Sequence, residues 1–352
     1  MLSRSNILLA ILLLAQGVLL AISVLISSGT EARPVEPLAA GIAAADVERF
    51  SFADDLDNEV TFARRDDGWV LPGADDFPVD GDKVEEILNK IAGLDTRRLI
   101  ASNPANFARL EVSDEDFRRK LSLESAAASA ALYLGGSGGV DTVYVRRAGE
   151  DKVYLGVGLS SWELSTQTSA WVDANYVNVP LADVLEISVE NADGRFTFAR
   201  DGDSWRYTDL PEGETFEDTK MPIVSRNAAT VRLLEPLGLK ALDEYELAEP
   251  RVVVQVRYQR VDTPAETVDE VPADEAEAPE ASADETVYIE EEYTLTFGAN
   301  LEDGVVLKSS AAEYYVLAPE TVFKAFNDLT QADLIRAPDT NGEAAFNPTP
   351  MN

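Results

Sequence analysis

A pattern that recurs at fixed spacing limits what this chain can fold into more than any single residue does. Val60-Thr61-Phe62-Ala63-Arg64 returns as Phe196-Thr197-Phe198-Ala199-Arg200, and Asp67-Gly68-Trp69 returns as Asp203-Ser204-Trp205. The offset is 136 residues from Thr61 to Thr197, and it is the same at every identical Thr, Phe, Ala, Arg, Asp and Trp in the stretch. Just upstream, Val47-Glu48-Arg49-Phe50-Ser51-Phe52 is echoed by Val184-Leu185-Glu186-Ile187-Ser188-Val189. Downstream, a helical set of Val84, Leu88, Ile91 and Leu94 is matched by Val224, Ala228, Val231 and Leu234 at an offset of 140 residues. Alternating apolar residues predict paired strands, and the i, i+4, i+7 spacing predicts one buried helix face. The chain therefore reads as α+β: a tandem duplication of a mostly antiparallel sheet-plus-helix unit, residues 46–182 and 183–337. Two copies do not make a solenoid, which usually wants three or more.

Within the first copy, Asp66-Asp67-Gly68 predicts a hairpin turn into Trp69-Val70-Leu71, and Pro72 to Val79 reads as loop. Asp80 stands at the N-cap of a helix carrying Val84, Ile87, Leu88 and Ile91, which Gly93 is expected to end in the left-handed conformation. Ser113 is expected to cap a helical turn through Asp116 and Phe117. Leu121 to Leu134 reads as a strand pair, and Val143-Tyr144-Val145 with Val153-Tyr154-Leu155 as a hairpin. Ser160 to Leu164 reads as a helical turn with Trp162 packed inward. The second copy adds a strand at Val252 to Tyr258, strands at Tyr293 to Gly298 and Tyr314 to Leu317, and a helix from Glu320 to Leu329. Trp69 and Trp205 could stack a sugar or another ligand, but their recurrence at the start of the same strand favours core packing.

The N-terminus carries a different signal. Residues 7–26 are an almost unbroken apolar run, interrupted only by Gln16 and Ser23. At 1.5 Å per residue such a run makes a helix of roughly 30 Å, the thickness of a bilayer's hydrocarbon core. Arg4 and the α-amino group precede it and an acidic region follows, so the positive-inside rule puts residues 1–6 in the cytoplasm and the large C-terminal part outside. The expectation is a single transmembrane helix at 7–26 in a bacterial inner (plasma) membrane, a linker at 27–45, and an ectodomain in the periplasm or outside. A cleaved signal peptide is the alternative; its apolar region is usually about 7–15 residues, and Ser27 to Ala32 is a poor cleavage site. The run holds no GxxxG pattern, Gly17 standing alone.

Composition narrows function further. The net charge of -35 repels nucleic acid, which is not expected as a partner. Absence of Cys removes disulfides, thiolate nucleophiles and lipoprotein attachment. Absence of His removes Ser-His-Asp and Cys-His catalysis and His-ligated zinc within this chain. Asp262 to Glu292 is acidic, with three prolines and no Lys or Arg, and predicts a disordered insertion at about 261–287 between two strands of the second copy. Residues 338–352 read as a disordered tail.

No catalytic constellation emerges, and no catalytic, cofactor-binding or metal-binding residue is expected. Asp66-Asp67 and Asp201-Asp203 fit turns, and Asp201-Gly202-Asp203-Ser204 lacks the remaining ligands of a calcium loop. Gly135-Gly136-Ser137-Gly138-Gly139 is followed by strand-like residues and has no Lys, so it reads as a hairpin connection and not a phosphate loop. Ser225 and Lys220 show no convincing dyad spacing.

Four features, taken in order, resemble the DUF4340 family of bacterial proteins of unknown function. They are the N-terminal membrane helix, the hairpin Arg64-Arg65-Asp66-Asp67-Gly68-Trp69-Val70-Leu71, the helix Asp80 to Leu88, and the passage Trp171-Val172-Asp173 to Asp183-Val184. The resemblance covers most of residues 46–337, and the acidic insertion departs from it. Members are often encoded beside gliding-motility-type ABC transporter components, which implies an accessory role in an envelope transport complex and carries over no catalytic residues. The leading expectation is a non-enzymatic anchored protein that binds a protein partner such as ABC transporter subunits. A solute- or carbohydrate-binding module that presents ligand to a transporter is the alternative, and a carboxylate-based envelope hydrolase a third reading.

Overall fold

A computed structural model describes residues 15–18, 20, 34–39, 41–262 and 287–336. The chain runs through β1 (Val47–Ala53), β2 (Glu59–Arg65), β3 (Gly68–Leu71), β4 (Phe77–Pro78), α1 (Gly81–Ala92), β5 (Leu99–Ala101), α2 (Phe107–Leu110), β6 (Arg119–Ser125), β7 (Ser129–Leu134), β8 (Thr142–Arg147), β9 (Val153–Val157) and β10 (Asn175–Asn178). It continues through β11 (Val184–Asn191), β12 (Gly194–Asp201), β13 (Ser204–Tyr207), β14 (Thr215–Phe216), α3 (Met221–Ala229), β15 (Thr230–Arg232), β16 (Glu235–Gly238), β17 (Val252–Val261), β18 (Tyr288–Leu301), β19 (Gly304–Ser309), β20 (Tyr315–Ala318), α4 (Glu320–Asn327), α5 (Gln331–Leu334) and β21 (Ile335–Arg336). The protein is mostly antiparallel sheet with a few helices. It divides into two compact units, Met1–Val47 with Ile87–Glu163, and Glu48–Glu86 with Leu164–Asn352. The division falls inside α1.

In the first unit, strands follow the order β6-β7-β8-β9-β5. Alternation puts Leu121, Leu123, Leu132, Leu134, Val143 and Val145 inside. Leu38, Ala39 and Ile42, from the stretch expected as linker, belong to this core: Leu38 is fully buried, its N–H donates to the Leu94 carbonyl, and Arg147 donates to the Pro37 and Leu38 carbonyls. A satellite core of Leu110, Val112, Tyr133 and Val153 surrounds buried Arg146. Its guanidinium lies 4.6 Å from the Phe107 ring and 4.5 Å from that of Tyr133. It donates to the Val112 carbonyl and to Asp114, both at 2.6 Å.

In the second unit, β4-β3-β2-β1 form a meander. A separate sheet runs β13-β12-β11-β17-β18-β19-β20-β16 over a core that includes Phe198, Phe297, Val224 of α3 and Phe323 and Phe326 of α4. Equivalent strands keep equivalent registers. Phe62 faces Phe50 and Trp69 faces Arg64; Phe198 faces Ile187 and Trp205 faces Arg200. Both the β3-β2-β1 order and the β6-β7-β8-β9-β5 order have their counterparts in β13-β12-β11 and β17-β18-β19-β20-β16.

Fully buried Trp171 ties residues 165–171 to the meander. Its ring packs on Phe52 at 5.5 Å and Phe62 at 5.1 Å. Its indole N–H donates to the Ser165 carbonyl at 2.7 Å, and its own carbonyl accepts from Asp80 N–H at 2.7 Å. Lys83 donates to the Ala170 carbonyl at 2.6 Å with its ammonium 4.8 Å above the Trp171 ring.

Several sequence expectations fall outside the described residues, and several others change. Residues 15–18 and 20 are helical, the rest of the run at 7–26 lies outside the described residues, and no helix among the described residues is long and apolar enough to cross a membrane. The acidic insertion is described only at its ends, and the tail lies outside the described residues. Asp80 caps α1 as expected, accepting from Lys83 N–H at 3.2 Å, but Gly93 ends it without a positive φ, through a tight Leu94 N–H to Ile91 carbonyl bond. Gly68, at φ 128°, begins β3, so the turn proper is Asp66-Asp67. Pro72 to Val79 holds a 3₁₀ turn, Pro72–Ala74, and the short strand β4.

The turn after Ser113 is not helical. An isolated Val112–Phe117 bridge closes it, and Ser113 Oγ accepts from Asp116 N–H, because Arg146 claims the Val112 carbonyl and the Asp114 carboxylate. Helix α3 stops at Ala229. β-Branched Thr230 and Val231 turn extended and pair with β10, so Val231 and Leu234 leave the helix. Trp162 points outward at 76% exposure, since the 3₁₀ turn Ser161–Glu163 inserts Leu164 in its place. Trp171→Ala should cost about 3–5 kcal/mol while Trp162→Ala leaves stability within about 0.5 kcal/mol, measured by urea unfolding followed by circular dichroism.

Candidate functional site

The recurring tryptophans are structural. Trp69 is 4% exposed and Trp205 is half-buried against the second unit's core. Each carries an arginine from the neighbouring strand over its ring, Arg64 at 4.7 Å and Arg200 at 5.1 Å. Cation–π contact with a neighbour occupies the face that a sugar would need. Trp69 Nε1 is buried without a hydrogen-bond partner among the described residues.

Two features remain as candidate sites, one in each unit. In the first, Trp162 stands in solvent on a turn held by its neighbour. Glu163 accepts from Ser160 N–H at 2.8 Å with one carboxylate oxygen and from Lys90 Nζ with the other. Glu163 N–H donates back to the Ser160 carbonyl. A large amphipathic ring is thus presented on a turn whose entropy is already spent.

The second unit holds a cleft of about 630 Å³. One wall is the loop between β1 and β2, organised by Asp54. Its Oδ1 accepts from Leu56 N–H, Asn58 N–H and Asn58 Nδ2, and its Oδ2 from Thr166 Oγ1 at 3.0 Å. Burial pushes the Asp54 carboxyl up, but the bonds from Asn58, Thr166 and the Leu56 and Asn58 backbones outweigh it and hold it below the usual carboxylate range. The loop Thr166-Gln167-Thr168-Ser169 forms another wall, set by the burial of Trp171. Glu235 and Asp303 complete it, and burial followed by the Asp303 charge pushes Glu235 up. The lining is mostly hydroxyls, amides and carboxylates, with Leu234 and Leu317 as its apolar part, which suits a hydrated polar ligand. Asp54 spends its oxygens on its own loop and on Thr166, so among the described residues the lining acids left to act on a ligand are Glu59, Glu235 and Asp303. Among the described residues no three carboxylates converge closely enough to hold a metal ion.

Residues weighed from the sequence are scattered. Asp66 and Asp67 occupy the β2–β3 turn, and Asp201 and Asp203 the β12–β13 turn. Ser225 donates to the Met221 carbonyl inside α3, and Lys220 pairs with Asp333, so they form no dyad. Residues 135–139 connect β7 to β8. Sequence reasoning missed the cleft, because its lining comes from five separate stretches with no shared period. The only available signal was Asp54-x-x-x-Asn58, which marks an Asx-type loop.

Asp54 and Glu235 should titrate with opposite effects on stability. A depressed carboxyl stabilises above its unfolded pKa and loses that contribution as pH falls through the folded value. A raised carboxyl favours the fold at low pH and loses that advantage as pH rises. Asp54→Ala is therefore destabilised at neutral pH, with a deficit that shrinks below the ordinary value of 3.8. Glu235→Gln is more stable than wild type at neutral pH and equal to it below the ordinary value of 4.5. Urea midpoints across pH 3 to 8, a range of about five units that includes the carboxylate values, check both signs.

No curated protein and no solved structure matches the chain. The model of a family described as a domain of unknown function, DUF4340, matches residues 69–250, from Trp69 at the start of β3 to just before β17, a narrower span than 46–337. With half of its length matched, this chain belongs to the DUF4340 family.

Proposed function

We propose that the chain is a non-enzymatic, single-pass protein of the bacterial inner (plasma) membrane, anchored by residues 7–26, with its ectodomain in the periplasm. The ectodomain is a duplicated α+β unit that binds a protein partner as an accessory component of an ABC-type transporter or envelope complex. The observation that carries the reading is Trp162, 76% exposed on a turn pinned by Glu163. Interface hot spots are enriched in tryptophan, and a turn held in place lowers the ordering cost of binding through one. The apolar run and the charge asymmetry around it support the anchor, the matched strand orders support the duplication, and family membership is consistent with the transporter association that the resemblance implies.

Cross-linked pull-down of the full-length chain from native membranes tests this. Transporter subunits recovered at near-stoichiometric yield support the proposal, and their recovery falls at least about 30-fold with Trp162→Ala, the loss expected of a hot spot of 2 kcal/mol. Recovery of no specific partner by the wild type removes the reading.

A second reading draws on the polar cleft of the second unit, which suits a sugar or small hydrated solute. Thermal-shift titration with neutral oligosaccharides discriminates, since a ligand that binds only the folded chain raises Tm by mass action. A rise abolished by Thr168→Ala together with Gln167→Ala would make the chain a ligand-presenting module instead.

A further inference from the structure

We propose that the β5 edge of the first unit is where the partner docks, and that the partner offers it a short acidic turn. The inference rests on the partner-binding reading above and assigns a surface to it.

Strand β5 ends its run of strands, with β9 on one side. Leu99 pairs with Tyr154 and Ala101 with Val153, so Ile100 bulges out with no residue of β9 opposite it. Leu99 is 44% and Ile100 43% exposed. An exposed apolar terminal strand is a template for another chain, and proteins usually blunt or cover such edges.

The second unit shows how the same edge is covered. Its terminal strand β16 pairs with β20, and Gly238 stands opposite Tyr315 as Leu99 stands opposite Tyr154. There the 3₁₀ turn Pro72–Ala74 delivers Asp75, whose carboxylate accepts from Leu239 N–H at 2.9 Å and lies 3.4 Å from Lys240 Nζ. Asp75 and Asp76 both take positive φ, which aims the carboxylate at the edge. A Cβ at Gly238 would lie 2.7 Å from Asp75 Oδ2, so glycine at that position admits the turn.

At β5 the corresponding residues are Leu99 and Ile100, and Arg98 precedes them. Arg98 makes no ion pair among the described residues, whereas adjacent Arg97 is paired with Asp95. Arg97 and Arg98 also line a groove of about 240 Å³ with Asp95, Leu155 and Val157. In a chain of net charge -35 this is an exposed cation beside apolar surface, complementary to a partner's carboxylate flanked by apolar side chains. The partner carboxylate meets Ile100 as Asp75 meets Leu239, and takes its cation from Arg98 on the other side of Leu99, because Ala101 holds the position of Lys240. A bulkier, apolar Leu99 replaces Gly238, so the incoming turn sits farther out and contacts the Leu99 side chain.

The test uses the full-length chain in native membranes with a photo-cross-linking amino acid at Ile100, at Trp162 or, as control, at Asp193. The expected result is an adduct from Ile100 to one polypeptide whose linked peptide carries Asp or Glu within a few residues. Arg98→Glu lowers the adduct yield at least about tenfold, and reversing the partner's acidic residue to Arg restores it. Adducts at Trp162 without any at Ile100, or an Ile100 adduct indifferent to Arg98→Glu, overturn the edge assignment and leave the partner reading standing. No adduct at either position, with no partner recovered by the wild type, overturns both.

Discussion

Burial of one indole sets the geometry of the second unit. Trp171 replaces water around its ring with Phe52 and Phe62, and each of its polar groups finds a partner in the same step. Its N–H closes its own loop on Ser165, and its carbonyl receives the N–H of Asp80, the residue that caps α1. Helix start, meander and loop are thus fixed by one residue, through its ring and its backbone carbonyl. The loop it closes carries Thr166, Gln167, Thr168 and Ser169 to the cleft, and Thr166 there bonds Asp54. The polar wall of the cleft exists because an apolar ring is buried behind it.

Arginine plays a matching part in both units by a different route. Arg64 and Arg200 lie over tryptophans at equivalent strand positions, shielding the rings while their charges stay near water. Arg146 goes further inside, between Phe107 and Tyr133, where carbonyl and carboxylate acceptors offset the loss of water. That use of Asp114 and Val112 leaves the following turn no helical option. In a chain so rich in carboxylates, cations are scarce, and most described ones have a fixed acceptor or ring, which makes the exposed Arg98 informative.

Much of the fold was legible because period and offset report burial directly. The β1–β2–β3 and β11–β12–β13 hairpins, the α1 face and the Asp80 cap all follow from local chemistry that tertiary contacts did not override. The misreadings lie where two local preferences compete. Val224, Ala228, Val231 and Leu234 keep a helical spacing, yet Thr230 and Val231 gain a strand partner in β10. Ser160 to Leu164 holds two large apolar residues where the turn can bury only one, and Leu164 rather than Trp162 went inside. The cleft was illegible for a different reason: loops with no periodicity converge on it, and convergence is a property of the fold and not of any stretch of sequence.

The hairpin of β17 and β18 carries its own consequence. Its ladder stays in register to the last pair, Val261 with Tyr288, and Asp262 N–H donates to the Val287 carbonyl beyond it. Asp262 and Val287, the described residues on either side of 263–286, therefore stand at adjacent points of the sheet. Doubling the length of a chain that joins two such ends costs only about 0.6 kcal/mol in closure entropy. The hairpin end is a splice port, where a fluorescent protein or epitope can be inserted without asking the sheet to move.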